Sequence, residues 1–306
     1  MNGSTLKLLV TGNRGQLATA LRNLDRPGLT VVAIGRPEID LADPRTAGET
    51  IARHRPDVVV NAAAYTDVER AEEAEGEAFA INAAGAGAVA AAAAIHGLPV
   101  IHLSTDYVYD GTKREPYVET DPVAPLSAYG RSKLAGEGAV AAANPRHVIL
   151  RTAWVYAPGG RNFVRAILDR AGKQSELKVV ADQRGHPTLA ADLAEAILGI
   201  AGQLRDEPAR RVSGVYHAAG GEAATWFDFA TAIMAASRDA GGPFVPVVPV
   251  TTAEFPTKAR RPAATVLSMA KLKATFGIAL PGYRERTGPC VAAILAGAPA
   301  RPGSQR

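Results

Sequence analysis

The sequence predicts an α/β protein built on a doubly wound parallel sheet. Three observations predict it: short β-branched runs recurring at helix-length intervals, Ala-rich stretches between them, and a glycine turn directly after the first run. The runs are Leu6 to Val10, Thr30 to Ile34, Asp57 to Ala62, Val100 to Ser104 and His147 to Thr152. Their near-continuous apolar character is that of strands covered on both faces, which requires helices on each side of the sheet. A chain of 306 residues, 47% hydrophobic and 21% charged, is long and apolar enough to bury such a core, which excludes the disordered and fibrous classes.

Beyond Thr152 the rhythm breaks into Pro- and Gly-punctuated pieces, with strands expected at Lys178 to Val180 and Val215 to His217 and a helix from Thr225 to Ala236. This predicts a smaller mixed α/β substrate-binding lobe over the C-terminal edge of the sheet, where ligands of doubly wound proteins bind. The expected division is a dinucleotide-binding domain over residues 1–152, to which later segments, roughly 176–200, return, a stretch over 153–298 that is mainly substrate-binding lobe, and a disordered tail over 299–306. The single cysteine, Cys290, cannot close a disulfide framework, so a reducing cytoplasm is expected. The apolar run after the polar Met1 to Lys7 is too short for a signal-peptide core. The stretch from Ala78 to Ile101 has the length of a membrane span, but Asn82, His96, Gly97 and Pro99 interrupt its Ala and Gly. It reads as a helix packed tightly on a sheet, followed by a strand, and no membrane partner is expected. The net charge of +4 is scattered rather than clustered, which argues against nucleic acid and suits a small anionic ligand.

The first run leads into Thr11-Gly12-Asn13-Arg14-Gly15-Gln16-Leu17-Ala18, after which a helical pattern resumes. A strand, a glycine turn and a helix start in that order offer backbone N–H groups to a diphosphate. Gly12, Arg14, Gly15, Gln16 and Leu17 are therefore candidate cofactor-binding residues of a Rossmann-type fold. At the end of the second run, where an acid would bond ribose hydroxyls, the chain has Gly35-Arg36. Arg36, with Arg14 adding to the same charge, suits a 2′-phosphate and favours NADPH over NADH.

Two Tyr-x-x-x-Lys spacings occur, and only a helix brings residues four apart onto one face. Tyr109 to Lys113 runs through Asp110-Gly111 toward Pro116 and reads as a turn, whereas Tyr129 to Lys133 opens an Ala-rich stretch without proline until Pro145. There the Lys133 ammonium is expected to approach the Tyr129 phenol and lower its pKa, making it a usable proton donor. The fourth run ends in Ser104-Thr105-Asp106-Tyr107, where Thr105 is the natural second donor to a carbonyl oxygen, and the alternative of a polar strand end capping the next turn applies better to Ser104 than to Thr105.

With these motifs, Asn61-Ala62-Ala63-Ala64-Tyr65-Thr66-Asp67-Val68, Arg151-Thr152-Ala153-Trp154-Val155-Tyr156, Asp182-Gln183-Arg184-Gly185-His186-Pro187-Thr188 and Arg261-Pro262, nearly the whole chain resembles the dTDP-4-dehydrorhamnose reductase family of extended short-chain dehydrogenases/reductases. The resemblance implies NADPH-dependent reduction of the C4 ketone of a nucleotide-linked deoxysugar by Thr105, Tyr129 and Lys133. By the same resemblance Tyr129 and Lys133 would also face the cofactor. Ala62, Ala63, Ala64 and Tyr65 would line it, and Asp40 and Leu41 stand where relatives contact adenine, although Asp40 serves equally as a helix cap. Val68, Thr105, Asp106, Tyr107, Tyr129 and Trp154 would surround the sugar, Trp154 offering an apolar face to its methyl group. Asn162, Arg260 and Arg261 are candidates for the nucleotide diphosphate, with a surface turn as the other reading of the two arginines. Related dehydratases carry Glu where this chain has Tyr107, so water elimination lacks its base here. Some family members dimerise through a magnesium ion held by glutamates, but Ala18-Thr19-Ala20-Leu21 offers none and the six histidines show no ligand spacing. No metal is expected, and monomer and homodimer stay open. The alternatives are an NADP-binding regulatory subunit without activity and another nucleotide-sugar reductase or epimerase.

Overall fold

The computed structural model describes residues 5–297, and the tail expected to be disordered lies outside them. The first half alternates as β1 (Leu6–Thr11), α1 (Gln16–Arg22), β2 (Leu29–Ile34), α2 (Thr46–His54), β3 (Val58–Asn61), the short helices α3 (Val68–Ala71) and α4 (Glu75–Phe79), α5 (Ala86–Ile95), β4 (Val100–Thr105), α6 (Ala128–Ala143) and β5 (His147–Thr152). These strands pair in parallel in the order β5-β4-β3-β1-β2. The chain moves outward from β1 to β2 and then crosses back to β3, so a crevice opens beyond the carboxyl ends of β1 and β3.

Alternate side chains of each strand enter different cores. Leu8 and Val10 join Val58, Val60, Ile101 and Leu150 on one face, under Leu21 of α1. Leu9 joins Val59, Val100 and Ile149 on the other, under Ile51 of α2, Val89 and Ala93 of α5 and Val140 of α6. Full burial of each such Leu, Ile or Val contributes about 1.5–3 kcal/mol, which makes the two-sided sheet the stable solution for this pattern. The run Glu75–Ile95 is long and apolar enough to cross a membrane by length and composition. Here its small residues serve packing: a Cβ on Gly87 would lie 3.1 Å from the Ala139 Cβ of α6.

The second half contains β6 (Val155–Tyr156), α7 (Phe163–Ala171), β7 (Leu177–Val180), β8 (Arg184–Gly185), β9 (Thr188–Leu189), α8 (Ala190–Asp206), β10 (Gly214–His217), β11 (Ala224–Thr225), α9 (Trp226–Asp239), β12 (Val247–Val250), α10 (Ala270–Phe276) and α11 (Tyr283–Leu295). Tyr156, Val164, Ile167, Leu177, Phe229, Ile233, Tyr283 and Val291 form a separate core for the lobe. Two placements differ from the sequence expectation. β10 was expected in the lobe, yet it pairs in parallel with β5 as the sixth strand of the main sheet. Within the stretch expected to return to the first domain, only α8 does so, through Leu193, Ile197 and Ile200, while β7 pairs with β12 in the lobe. The reason is the same in both cases: a short apolar run specifies a strand but not its neighbour, which long-range pairing decides.

Candidate active site

The glycine turn stands at the crevice. The Thr11 hydroxyl accepts the Ala63 N–H at 3.1 Å and donates to Asn61 Oδ1 at 2.6 Å, tying the ends of β1 and β3 together. Gly12 has φ +90°, a conformation that favours glycine, and it lies against Ala63, the segment that runs on through Ala64 and Tyr65. Around Gly15 the space is open, no side chain caps α1, and its first turn holds no acid. This cradle fits a diphosphate, and the exposed Arg14 and Arg36 fit a further phosphate at its adenosine end. Gln16 donates to the Val155 carbonyl at 3.2 Å, while the Leu17 side chain packs on the core, leaving only its backbone for a ligand. Asp40 accepts the Ala42 N–H at 3.0 Å in the turn before α2, but the N-cap position of that helix is Arg45 and no side chain caps it, so the capping alternative is not what the structure shows. Leu41 is buried, with its carbonyl against Gly85.

Helix α6 begins at Ser127, whose hydroxyl accepts the Gly130 N–H at 3.1 Å, so Tyr129 and Lys133 lie one turn apart in a continuous helix. The other Tyr-Lys spacing is not helical: Tyr109 stacks on Tyr117 at 4.2 Å and Lys113 pairs with Asp121 at 2.5 Å. Lys133 is buried, donates to the Leu103 carbonyl at 2.5 Å and lies 3.5 Å from His102 Nε2. Burial brings its ammonium down to about 8, opposed by the charge of Glu137. Burial pushes the Tyr129 phenol up to about 12, against hydrogen bonding with Thr105 and with the Asp106 charge reinforcing the rise. The expected acidification of the phenol by the ammonium is therefore corrected here: Lys133 is turned to a backbone carbonyl and Tyr129 stays protonated. A protonated phenol still suits a proton donor.

Thr105 donates to Asp106 Oδ1 at 3.1 Å and accepts the Tyr107 N–H at 3.1 Å. Asp106 Oδ2 accepts from Thr265 at 2.5 Å, and burial raises this carboxyl to about 6. Ser104 instead donates to Glu137, which forms a buried ion pair with Arg151 at 2.6 Å, so the capping of the next turn that was assigned to Ser104 falls to Thr105. The Tyr107 ring meets Tyr129 edge-on at 6.0 Å.

On the lobe side, Trp154 adopts φ +44°, a left-handed conformation that costs energy for a large side chain. Its indole has two close neighbours. A Cβ on Gly185 would lie 2.6 Å from the ring, and Trp226 stacks on it at 3.5 Å and 7°. Trp226, Phe163, Phe255, Lys178, Gln183 and Arg261 line a cavity of about 260 Å³. Sequence reasoning missed Trp226, Phe163 and Lys178 as site residues, although the Thr225–Asp228 capping box marks where α9 must begin and so fixes Trp226 at its first position. Arg261 pairs with Glu69 at 2.6 Å on α3, the helix that Val68 starts, whereas Arg260 is exposed and does not line the cavity. Asn162 caps α7 and donates to the Ala157 carbonyl at 2.8 Å and to Gln16 Oε1 at 2.9 Å. Its amide thus bridges the lobe to the glycine loop. Asn82 was also missed: it accepts the Tyr65 N–H at 2.8 Å and donates to Ser132 at 2.9 Å, fixing the Tyr65 segment to α6.

The family model described as RmlD substrate binding domain matches residues 6–295. A dTDP-4-dehydrorhamnose reductase of Sinorhizobium fredii is 47% identical over 290 residues, 95% of this chain and 98% of that protein. Among solved structures, a dTDP-4-dehydrorhamnose reductase from Clostridium acetobutylicum has a TM-score of 0.86 at 36% identity, covering 95% of this chain and 100% of the other. Another from Bacillus anthracis, in complex with NADP, has a TM-score of 0.85 at 31% identity, covering 93% of this chain and 98% of the other. Since these likenesses run through sheet and lobe alike, the chain belongs to the dTDP-4-dehydrorhamnose reductase family.

Proposed function

We propose that this chain uses NADPH to reduce the C4 ketone of dTDP-4-dehydro-L-rhamnose to dTDP-L-rhamnose, in the cytoplasm. The observation that carries the reading is the meeting of the Thr105 and Tyr129 hydroxyls at the end of β4, with Lys133 one turn along α6. When bound, NADPH supplies the hydride for the ketone carbon. Gly12, Gly15 and the start of α1 would hold its diphosphate, and Arg14 and Arg36 its 2′-phosphate. Tyr129, protonated at neutral pH, donates its proton to the ketone oxygen as charge develops there. Thr105 would turn its hydroxyl from Asp106 to the same oxygen and fix the ketone's orientation. Lys133 would hold the ribose of the cofactor. Trp154 offers the sugar an apolar face, while Arg261 and Lys178 bring positive charge to the cavity beside it, suited to a nucleotide diphosphate.

The test follows NADPH and NADH absorbance side by side on adding the dTDP-keto sugar, with a panel of other bases and sugars. Tyr129→Phe should lower kcat by about 10²–10⁴-fold while NADPH still binds. Near-normal turnover by this variant would overturn the assignment.

A further inference from the structure

His102 is fully buried on β4, and the mechanism above does not use it. Its Nδ1 lies 3.0 Å from Asn61 Nδ2 and its Nε2 lies 3.5 Å from Lys133 Nζ. The protons along this chain follow from its far end. Thr11 is buried and its Oγ1 accepts the Ala63 N–H, while its own proton is satisfied by donation to Asn61 Oδ1 at 2.6 Å. The Asn61 amide group then presents N–H to His102 Nδ1, which must accept. A neutral imidazole that accepts at Nδ1 carries its proton on Nε2, facing Lys133. Beside that N–H an ammonium meets donor with donor, whereas a neutral amine has a lone pair to receive it.

We infer that Thr11, Asn61 and His102 form a positioning relay that holds the imidazole as its Nε2–H tautomer against Lys133, so that Lys133 releases a proton readily. The inference rests on the role of Lys133 in ketone reduction proposed above. Burial, with the Lys133 charge adding to it, holds His102 well below the usual histidine range, so the ring is neutral, in keeping with the tautomer argument. The other charged and titratable groups around Lys133 do not supply this effect. Glu137, one turn along α6, favours the ammonium and is itself held by Arg151 of β5. Asp106 at the end of β4 is occupied by Thr105 and Thr265, and Tyr129 lies on the same helix. β3 contributes Asn61, which does not titrate. A Lys133 that releases its proton readily loses, as pH rises, the ammonium proposed to hold the cofactor ribose, and the amine left behind accepts from His102 Nε2–H, so the basic limb of the kcat/KM profile reports this group.

The tautomer can be read directly by nitrogen NMR of the full chain with ¹⁵N-labelled histidine and bound NADP, using His102→Phe to assign the signals. We expect a protonated Nε2 and a bare Nδ1 for His102 across pH 6–9; a protonated Nδ1 overturns the proposal. Thr11→Val frees the Asn61 amide to turn over, so the His102 signals should move to the Nδ1–H form. The basic limb of the kcat/KM profile should then rise by about one pH unit, as Lys133 gains an acceptor. An unmoved limb in a variant whose tautomer has changed breaks the link to Lys133. Lys133→Met separates the two readings: full turnover by that variant defeats the role of Lys133 itself, while the wild-type tautomer still reports on the relay.

Discussion

Gly185 has no side chain because the Trp154 indole lies where one would go. A methyl group there meets a ring carbon at 2.6 Å, and moving the ring would disturb its stacking on Trp226. Overpacking of this kind costs about 1–3 kcal/mol. Gly185→Ala should therefore raise KM for the nucleotide sugar by about tenfold or more while leaving NADPH affinity in place, as steady-state kinetics with each substrate varied will show. The chain's two tryptophans are the stacked pair, so the same displacement should change intrinsic fluorescence. At this scale the legible residues were those whose meaning is local. Tyr129 and Lys133 are four apart in a proline-free stretch, and Thr105 ends a strand. His102 and Asn82 carry no such signal, because only tertiary folding brings them to Lys133 and Tyr65, and the capping box that places Trp226 at the start of α9 does not reveal that it meets Trp154.

Helix α6 depends on its first turn. Ser127 supplies the cap, and Tyr129 follows two positions later in the same first turn. Ser127→Ala removes an acceptor for the Gly130 N–H and should cost about 1 kcal/mol, a fall in Tm of about 2 °C for a chain of this length, measurable by calorimetry. A larger loss of kcat than of stability would show that the cap also orients Tyr129. Elements were legible where composition is strongly biased: β1 to β5 lie within a residue or two of the apolar runs, and α9 begins beside Thr225 as expected. Partnership was not legible, as β10 illustrates. Its sequence, Gly214–His217, is as suited to a lobe strand as to the outer edge of the main sheet; its pairing with β5 reflects contacts made more than sixty residues away in the chain.

For the molecule as a whole, Asp106 makes stability depend on pH. Its carboxyl titrates at about 6 when folded, above the ordinary 3.8, because burial disfavours the charge. A group raised in this way gives its full stabilisation below pH 3.8 and loses it as pH rises through 6. The difference amounts to about 3 kcal/mol. Asp106→Asn cannot ionise, so the stability of wild type relative to this variant should fall between pH 4 and pH 7, as urea unfolding at the two pH values will report. A constant difference would mean that Thr105 and Thr265 compensate the buried charge fully.

The course of the chain through sheet and lobe has a practical consequence. The polypeptide leaves the main sheet after β5, builds part of the lobe, returns to lay β10 along β5, and departs again for α9 and β12. Asn162 on Gln16 and Thr265 on Asp106 fasten the two halves at separate points. No single cut therefore yields an exchangeable specificity cassette: a chimaera taking everything after Thr152 from a relative would import a foreign edge strand, and the donor would have to match Gln16 and Asp106 in the half that stays.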